Sequence, residues 1–194
     1  MLDLAIRGGR LVDGTGGPWF GGDVGIAGER IAAVGHVAEP ARRTIDAAGL
    51  VVCPGFIDMH THSDLQPLAR PRHEMKLHQG VTLDVIGQDG LGLAPVRRDT
   101  LADLRALLVG WNGDPDGVDW SWRSMADYLA RFDGASSVNV VALAGHGTLR
   151  LQAVGADDRP ATPNELAEMR RLLRDAVDQG AAGLSAGLTY APGM

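Results

Sequence analysis

The most informative stretch of this 194-residue sequence is an apolar run that ends in two histidines. Residues 51–62 read Val51-Val52-Cys53-Pro54-Gly55-Phe56-Ile57-Asp58-Met59-His60-Thr61-His62. Positions i and i+2 of a β-strand face the same way, so a strand would bring the His60 and His62 imidazoles together. Asp58 has the same parity and could accept a hydrogen bond from one imidazole. Paired imidazoles suit a divalent cation such as Zn²⁺, and the alternative is two histidines that hold no metal.

From residue 50 onward the sequence alternates between strand-like and helix-like segments. We predict strands over Leu50–Ile57, Thr82–Ile86, Val138–Ala144 and Ala181–Leu188, and helices over Arg70–Gln79, Leu101–Val109, Ser124–Phe132 and Pro163–Gln179. The last helix has the clearest signals, because Thr162 can cap it, Glu165 completes a capping box and Gly180 follows its end. Apolar strands that alternate with helices indicate parallel βαβ units and therefore an α/β fold.

The number of these units bears on the architecture. Four βα units are visible, whereas a closed (β/α)8 TIM barrel needs eight and typically about 250 residues. The sequence ends at Met194, shortly after a predicted strand and without a helix to cover it. We therefore expect residues 53–194 to be the truncated first half of such a barrel, and an open α/β layer is the alternative.

Residues 1–52 have a different character. Short apolar runs at Leu4–Ile6, Leu11–Val12, Val24–Ile26 and Ile31–Val34 are separated by glycine-rich turns such as Gly8-Gly9 and Asp13-Gly14. Glycine and Asp-Gly supply the positive φ that tight hairpins need, so this segment is predicted to be a small β-module. About fifty residues hardly hold a core alone, so the module must pack on something else.

Further polar residues stand where the predicted strands end, which is where parallel α/β folds place their sites. Asp89 follows the second strand, 27 residues after His62, and could complete a metal site or simply form a turn with Gly90. His146 lies between two glycines and could be a metal ligand, a substrate contact or a loop residue. Tyr190 ends the fourth strand and could contact a substrate or lie at the edge of the core.

The composition excludes several classes of protein. The chain is 45% hydrophobic and 22% charged, which is ordinary for a globular protein, and its single cysteine, Cys53, leaves no disulfide framework. The net charge of −6 and the lack of a basic cluster argue against nucleic acid or an anionic membrane as a partner. No apolar run reaches the ~18 residues of a spanning helix. Residues 1–20 lack the pattern of a signal peptide, so we expect a cytoplasmic protein.

The segment at residues 51–62 resembles the signature of the metal-dependent amidohydrolase superfamily. Within it, the sequence is most similar to the N-acyl-D-amino-acid deacylases, or D-aminoacylases. The further stretches that carry this likeness are the N-terminal module with Leu11–Gly16 and Arg30–Gly35, Gly80–Pro95, Trp120–Arg131, Gly145–Arg150 and Gly183–Gly193. The resemblance implies a (β/α)8 barrel with a small β-sandwich built from both chain ends. It also implies hydrolysis of the amide bond of N-acyl-D-amino acids by a water that one or two zinc ions activate.

The resemblance also implies roles for particular residues. His60 and His62 match metal ligands of the family, and Tyr190 matches a tyrosine that contacts the substrate. Asp89 stands where many members have a metal-binding cysteine, and an oxygen donor there could change metal preference. The other histidine ligands and the catalytic aspartate of the family lie beyond Met194, so this chain alone is expected to be inactive.

Two other functions are compatible with these residues. Amidohydrolases of the dihydroorotase or hydantoinase type act on cyclic amides and usually bridge two metals with a carboxylated lysine on a middle strand. The single lysine, Lys76, lies in a predicted helix after the first strand, which disfavours that function. A non-catalytic domain that keeps the fold for binding is the second alternative.

Overall fold

A computed structural model describes residues 1–191 and divides the chain into two compact units, Met1–Gly55 and a second one that begins at Phe56. The first unit is one sheet of five strands. These are β1 (Leu2–Leu11), β2 (Phe20–Ala27), β3 (Arg30–Gly35), β4 (Ala41–Asp46) and β5 (Val51–Val52). The order is β3-β2-β1-β4, and β5 pairs with β1 beyond the end of β4. The β1–β2–β3 pairs are antiparallel, whereas β4 and β5 run parallel to β1.

This sheet differs from the sequence expectation at two places. The Gly8-Gly9 pair is not a turn between two strands, because β1 runs through it with a register shift between Ile6 and Gly9. Gly8 has φ +70°, so the glycine allows a bulge within a continuous strand. The strand β4 was not anticipated, because Arg42, Arg43 and Thr44 are all exposed and give no apolar alternation.

The second unit contains parallel strands with helices between them. Its strands are β6 (Phe56–Asp58), β7 (Val81–Ile86), β8 (Asn139–Ala142), β9 (Ala144–Gly145) and β10 (Leu184–Ser185). They form a parallel sheet β6-β7-β8 and a parallel pair β9-β10. The Leu143 amide donates to Ile86 and the Ala144 amide to Gly183, so residues 139–145 hydrogen-bond to β7 on one side and to the β10 segment on the other.

The helices of this unit are α1 (Gln66–Ala69), α2 (Glu74–Leu77), α3 (Leu101–Asn112), α4 (Met125–Leu129), α5 (His146–Ala153) and α6 (Pro163–Asp178). Among the described residues, no helix is long and apolar enough to cross a membrane. Location in the cytoplasm stays a prediction. The core lies between helices and strands. Its largest fully buried side chains are Trp122, Tyr128, Leu65, Ile86, Leu91, Leu93, Leu104, Leu108 and Met125.

The predicted capping of α6 is confirmed. Thr162 Oγ1 accepts a hydrogen bond from the Glu165 amide at 3.3 Å, and the Glu165 carboxylate accepts one from the Thr162 amide at 2.8 Å. The helix ends at Asp178, one residue before the predicted end. Both partners of the capping box lie within four residues, so local sequence suffices to place this helix.

Three other segments differ from their predictions. The apolar run Leu50–Ile57 is two strands in different sheets, β5 and β6, because Pro54 has no amide hydrogen with which to continue a ladder. The predicted helix Arg70–Gln79 is wrong over its first part. Pro71 disfavours helical geometry at Arg70, which has φ −136° and ψ 78°, and only α2 forms after it. The helix α5 was not predicted, and it begins at His146.

Candidate metal centre

The two histidines of the 51–62 segment lie just beyond a strand. β6 ends at Asp58, so His60 and His62 stand in irregular chain rather than on the extended strand that the sequence predicted. Their rings nevertheless approach each other, with centroids 5.6 Å apart. The Nε2 atom of each imidazole lies 3.2 Å from the same oxygen, Oδ2 of Asp89.

Asp89 sits on a short turn that follows β7. The turn, Gln88–Gly90, is a single 3₁₀ turn in which Asp89 has φ +55°. This left-handed conformation is one that aspartate tolerates better than most residues. One ligand atom from each of His60, His62 and Asp89 lies within 4.8 Å of the others. Among residues 1–191, these three residues form the one group of this kind that could hold a metal ion. Two imidazole nitrogens and a carboxylate oxygen form a donor set that fits a zinc ion.

Side chains that the sequence analysis missed connect the turn to residues 59–65, the histidine segment. Gln88 Nε2 donates to the carbonyl of Met59 at 2.7 Å and to that of Val85 at 3.0 Å. The Gly87 amide donates to Oδ1 of Asp64 at 2.8 Å. Gly87 has φ +77°, and a Cβ there would collide with the Leu143 carbonyl, so only glycine fits. The Gly87–Asp64 and Gln88–Met59 hydrogen bonds join residues 23 and 29 positions apart, and no local pattern reveals them.

Asp64 is a fully buried carboxyl group beside the histidine segment. Burial raises the pKa of Asp64 to about 7, although the Gly87 amide partly offsets this effect. Asn112, the last residue of α3, also reaches this point. With its amide nitrogen turned toward the neighbouring acceptors, it donates to the His62 carbonyl at 2.6 Å and to Asp64 Oδ2 at 3.1 Å. The end of α3 therefore helps to fix the backbone at His62.

Two aromatic residues border the cluster. Trp111, about half exposed, places its ring centroid 5.1 Å from that of His62 and 5.6 Å from that of Tyr190. The Tyr190 hydroxyl donates to the Asp89 carbonyl, and burial, with a smaller effect of Asp89, raises the pKa of Tyr190. The structure thus brings Tyr190 to the cluster. No sequence pattern selects Trp111, because tertiary packing alone places it beside His62.

His146 is placed differently from the other candidate residues. It is the first residue of α5 and lines an open groove of about 440 Å³ with residues that include Arg150, Arg159 and Met169. Burial, and secondarily the charge of Arg150, lowers the pKa of His146. His146 is not part of the ligand group formed by His60, His62 and Asp89 within residues 1–191.

Asp58 has a different partner from the one that its parity suggested. Its Oδ1 accepts a hydrogen bond from the backbone amide of His60 at 3.2 Å rather than from an imidazole. Its other oxygen forms an ion pair with Lys76, which is the main reason that the pKa of Asp58 is below its usual range. Asp58 therefore holds the backbone at His60 and does not orient an imidazole.

Parallel strands whose ends gather two histidines and an aspartate define this chain as a candidate metal-binding α/β protein. The profile of the amidohydrolase family matches residues 43–192, and the chain belongs to that family. Its fold is a mixed α/β fold that matches the amidohydrolase domain of D-aminoacylase. The chain is 43% identical to N-acyl-D-glutamate deacylase of Alcaligenes xylosoxydans xylosoxydans, over 99% of this chain and 38% of that protein. It is 39% identical to D-aminoacylase of the same organism, over 98% of this chain and 39% of the relative.

Solved structures of deacylases are also similar to this chain. An N-acyl-D-glutamate deacylase from Bordetella bronchiseptica, in complex with zinc and a phosphonate inhibitor, superposes with a TM-score of 0.85 at 38% identity. That match covers 99% of this chain and 40% of the other. A D-aminoacylase with a binuclear metal centre superposes with a TM-score of 0.87 at 39% identity, over 100% of this chain and 40% of the other. The chain thus spans about two fifths of the length of these relatives.

Proposed function

We propose that this chain is part of a metal-dependent hydrolase that cleaves the amide bond of N-acyl-D-amino acids. The observation that carries the proposal is the convergence of His60 and His62 on one oxygen of Asp89, at 3.2 Å each. Support comes from relatives with about 40% identity that are named as deacylases of such compounds. The partner is accordingly a small molecule, an N-acyl amino acid.

The metal site is proposed to hold zinc, as one or two ions, with His60, His62 and Asp89 as the ligands from this chain. When bound, zinc supplies Lewis acidity, which lowers the pKa of a water molecule and polarises an amide carbonyl. Gln88 and Asp64 hold the turn that carries Asp89 against the histidine segment, so the three ligands keep their spacing. A carboxylate rather than a thiolate at position 89 makes the donor set harder.

The substrate is proposed to bind beside this cluster. Tyr190 already donates its hydroxyl hydrogen to the Asp89 carbonyl, so it would contact the substrate through its ring or as an acceptor. His146 is proposed as a second contact from the start of α5. We assign no catalytic residue in this chain, since the resemblance places the aspartate that moves the proton beyond Met194.

The finer architecture is also proposed. Residues 53–194 would form the first half of a TIM barrel, supported by strands that are all parallel and follow chain order. Residues 1–52 would be half of a composite β-sandwich. Their sheet has an apolar groove of about 390 Å³ lined by Ile6, Leu11, Val24, Ile26, Ile31 and Val34, of which Ile31 and Val34 are exposed. A second layer would bury this face.

The cyclic-amide alternative is disfavoured by the surroundings of Lys76. Its ammonium faces two carboxylates, Asp58 and Asp84. Carboxylation would turn this cation into an anion and place three negative groups together, which costs free energy in a buried setting.

The test is a substrate panel for the full-length protein that contains this chain, loaded with zinc. N-acetyl derivatives of D-glutamate, D-aspartate and D-leucine are compared with their L-enantiomers and with hydantoin. We expect hydrolysis of the D-series only, and no turnover by the isolated 194-residue chain. Activity on hydantoin alone would favour a cyclic-amide hydrolase, and a folded full-length protein without metal would favour a binding domain. Clear turnover by the isolated chain would contradict the proposed need for residues beyond Met194.

A further inference from the structure

The single lysine of the chain lies almost buried beside the candidate metal centre. Lys76 is on α2, and its side chain is 12% exposed. Its ammonium contacts three side chains: it forms a close ion pair with Asp58 Oδ2, it donates to Thr61 Oγ1 at 3.1 Å and it lies 3.4 Å from Asp84 Oδ1. An ammonium group has three hydrogens to donate, so it can satisfy several oxygens at once.

Two of these three partners flank the first histidine. Asp58 precedes His60 by two residues and accepts its backbone N–H, and Thr61 follows His60 directly. The strand β6 ends at Asp58, so sheet hydrogen bonds do not hold the residues that follow. Side-chain contacts must therefore fix the backbone that carries the imidazoles.

The third partner anchors the lysine in the interior. Asp84 lies on β7 and is completely buried. Its carboxylate faces Lys76 and, at 3.8 Å, Nε2 of His73. Burial lowers the pKa of His73, so Lys76 is the cation that compensates Asp84. A buried carboxylate needs such a partner, and Asp84 thereby holds the ammonium in place.

We propose that Lys76 is a positioning residue: its ammonium ties Asp58 and Thr61 to Asp84 of the neighbouring strand and so fixes the backbone that presents His60 and His62 to the metal. Lys76 binds neither metal nor substrate itself. The inference rests on the proposed metal centre. Partners that orient ligands typically contribute about 10- to 100-fold in metal affinity.

The test needs a variant that stays folded. Lys76→Met alone would leave Asp84 as an uncompensated buried charge and would destabilise the chain. The double variant Lys76→Met/Asp84→Asn removes both charges and frees Asp58 and Thr61. The matched control is Arg105→Met/Asp114→Asn, which removes an exposed ion pair with a 2.7 Å contact.

Three measurements on the full-length protein that contains this chain test the proposal. We expect faster hydrogen exchange at the His60 amide without metal, a zinc dissociation constant raised by about 10- to 100-fold, and a changed visible spectrum of the Co²⁺-loaded protein. The melting temperature without metal should stay near that of the control. Unchanged His60 exchange and unchanged zinc affinity in the folded double variant would overturn the positioning role.

Two further outcomes are distinguishable. If the unaltered full-length protein binds no zinc, the proposed metal centre is wrong, whereas the exchange rate of the His60 amide still tests the link to Lys76. If the double variant does not fold, Lys76→Arg replaces it, because arginine keeps a cation opposite Asp84. Its planar guanidinium cannot reproduce the compact three-way contact, so zinc affinity should fall, and a wild-type affinity would overturn the proposal.

Discussion

The helix α6 and the histidine segment at residues 59–65 are held in place by opposite means. The start of α6 is determined by local sequence, because Thr162 and Glu165 cap it from within one turn, and this start matches the prediction. The histidine segment has no regular structure, and its partners come from Lys76, Gly87, Gln88 and Asn112. Local signals therefore determine the scaffold helix, whereas long-range side-chain contacts determine the geometry of the candidate site.

The largest effect should come from the ligands themselves. In the full-length protein we expect His60→Ala/His62→Ala to abolish zinc binding or weaken it strongly, because the variant lacks two of the three candidate donors of this chain. Elemental analysis after dialysis measures bound zinc. His36→Ala/His78→Ala removes two exposed histidines and should change nothing. Unchanged zinc in the first variant would show that the ligand assignment is wrong.

A smaller effect should follow from loosening the turn that carries Asp89. Gln88→Ala removes two hydrogen bonds from a buried amide and leaves the Met59 and Val85 carbonyls without that donor. We expect the free energy of unfolding to fall by about 1–3 kcal/mol, measured by urea denaturation. Gln79→Ala is the control, since Gln79 also donates to a carbonyl, that of Met75, but is exposed. Equal effects of the two substitutions would contradict the role given to Gln88.

The local character of α6 can be tested at its cap. Thr162→Ala removes the acceptor for the Glu165 amide and should lower the free energy of unfolding by about 1 kcal/mol. Zinc affinity should not change, because no described contact links the cap to the metal ligands. A loss of zinc affinity would mean that the capped end of α6 and the candidate metal centre are coupled.

The smallest effect concerns pH. The Arg159 guanidinium, with help from Thr162, holds the pKa of Glu165 well below its ordinary value of 4.5. A lowered folded-state pKa gives stability that is present above 4.5 and is lost as pH falls below it. Between about pH 6 and about pH 3, we expect the melting temperature of Glu165→Gln to fall less than that of the unaltered protein. Circular dichroism measures both melting temperatures. An identical decline in both proteins would contradict this coupling.

Sequence reasoning succeeded where the signal was local or carried by a family motif. The capping box of α6 and the parallel order of the strands came from patterns along the chain. The motif also selected His60, His62 and Asp89, whose side chains the structure brings together, and their role as metal ligands stays a prediction. It failed at Arg70, where the effect of Pro71 was overlooked, and at α5, whose start at His146 has no side-chain cap. It also passed over Trp111 and Gln88 and gave Lys76 no place at the site, because their contacts are with neighbours that only folding brings near.

The burial of Lys76 has a practical consequence for labelling chemistry. Seventeen of the eighteen basic residues of this chain are arginines, so Lys76 is the one side-chain amine within residues 1–194. In the folded chain Lys76 is shielded and ion-paired. A succinimidyl ester should therefore react slowly with Lys76, and formation of an adduct there would report local opening around α2.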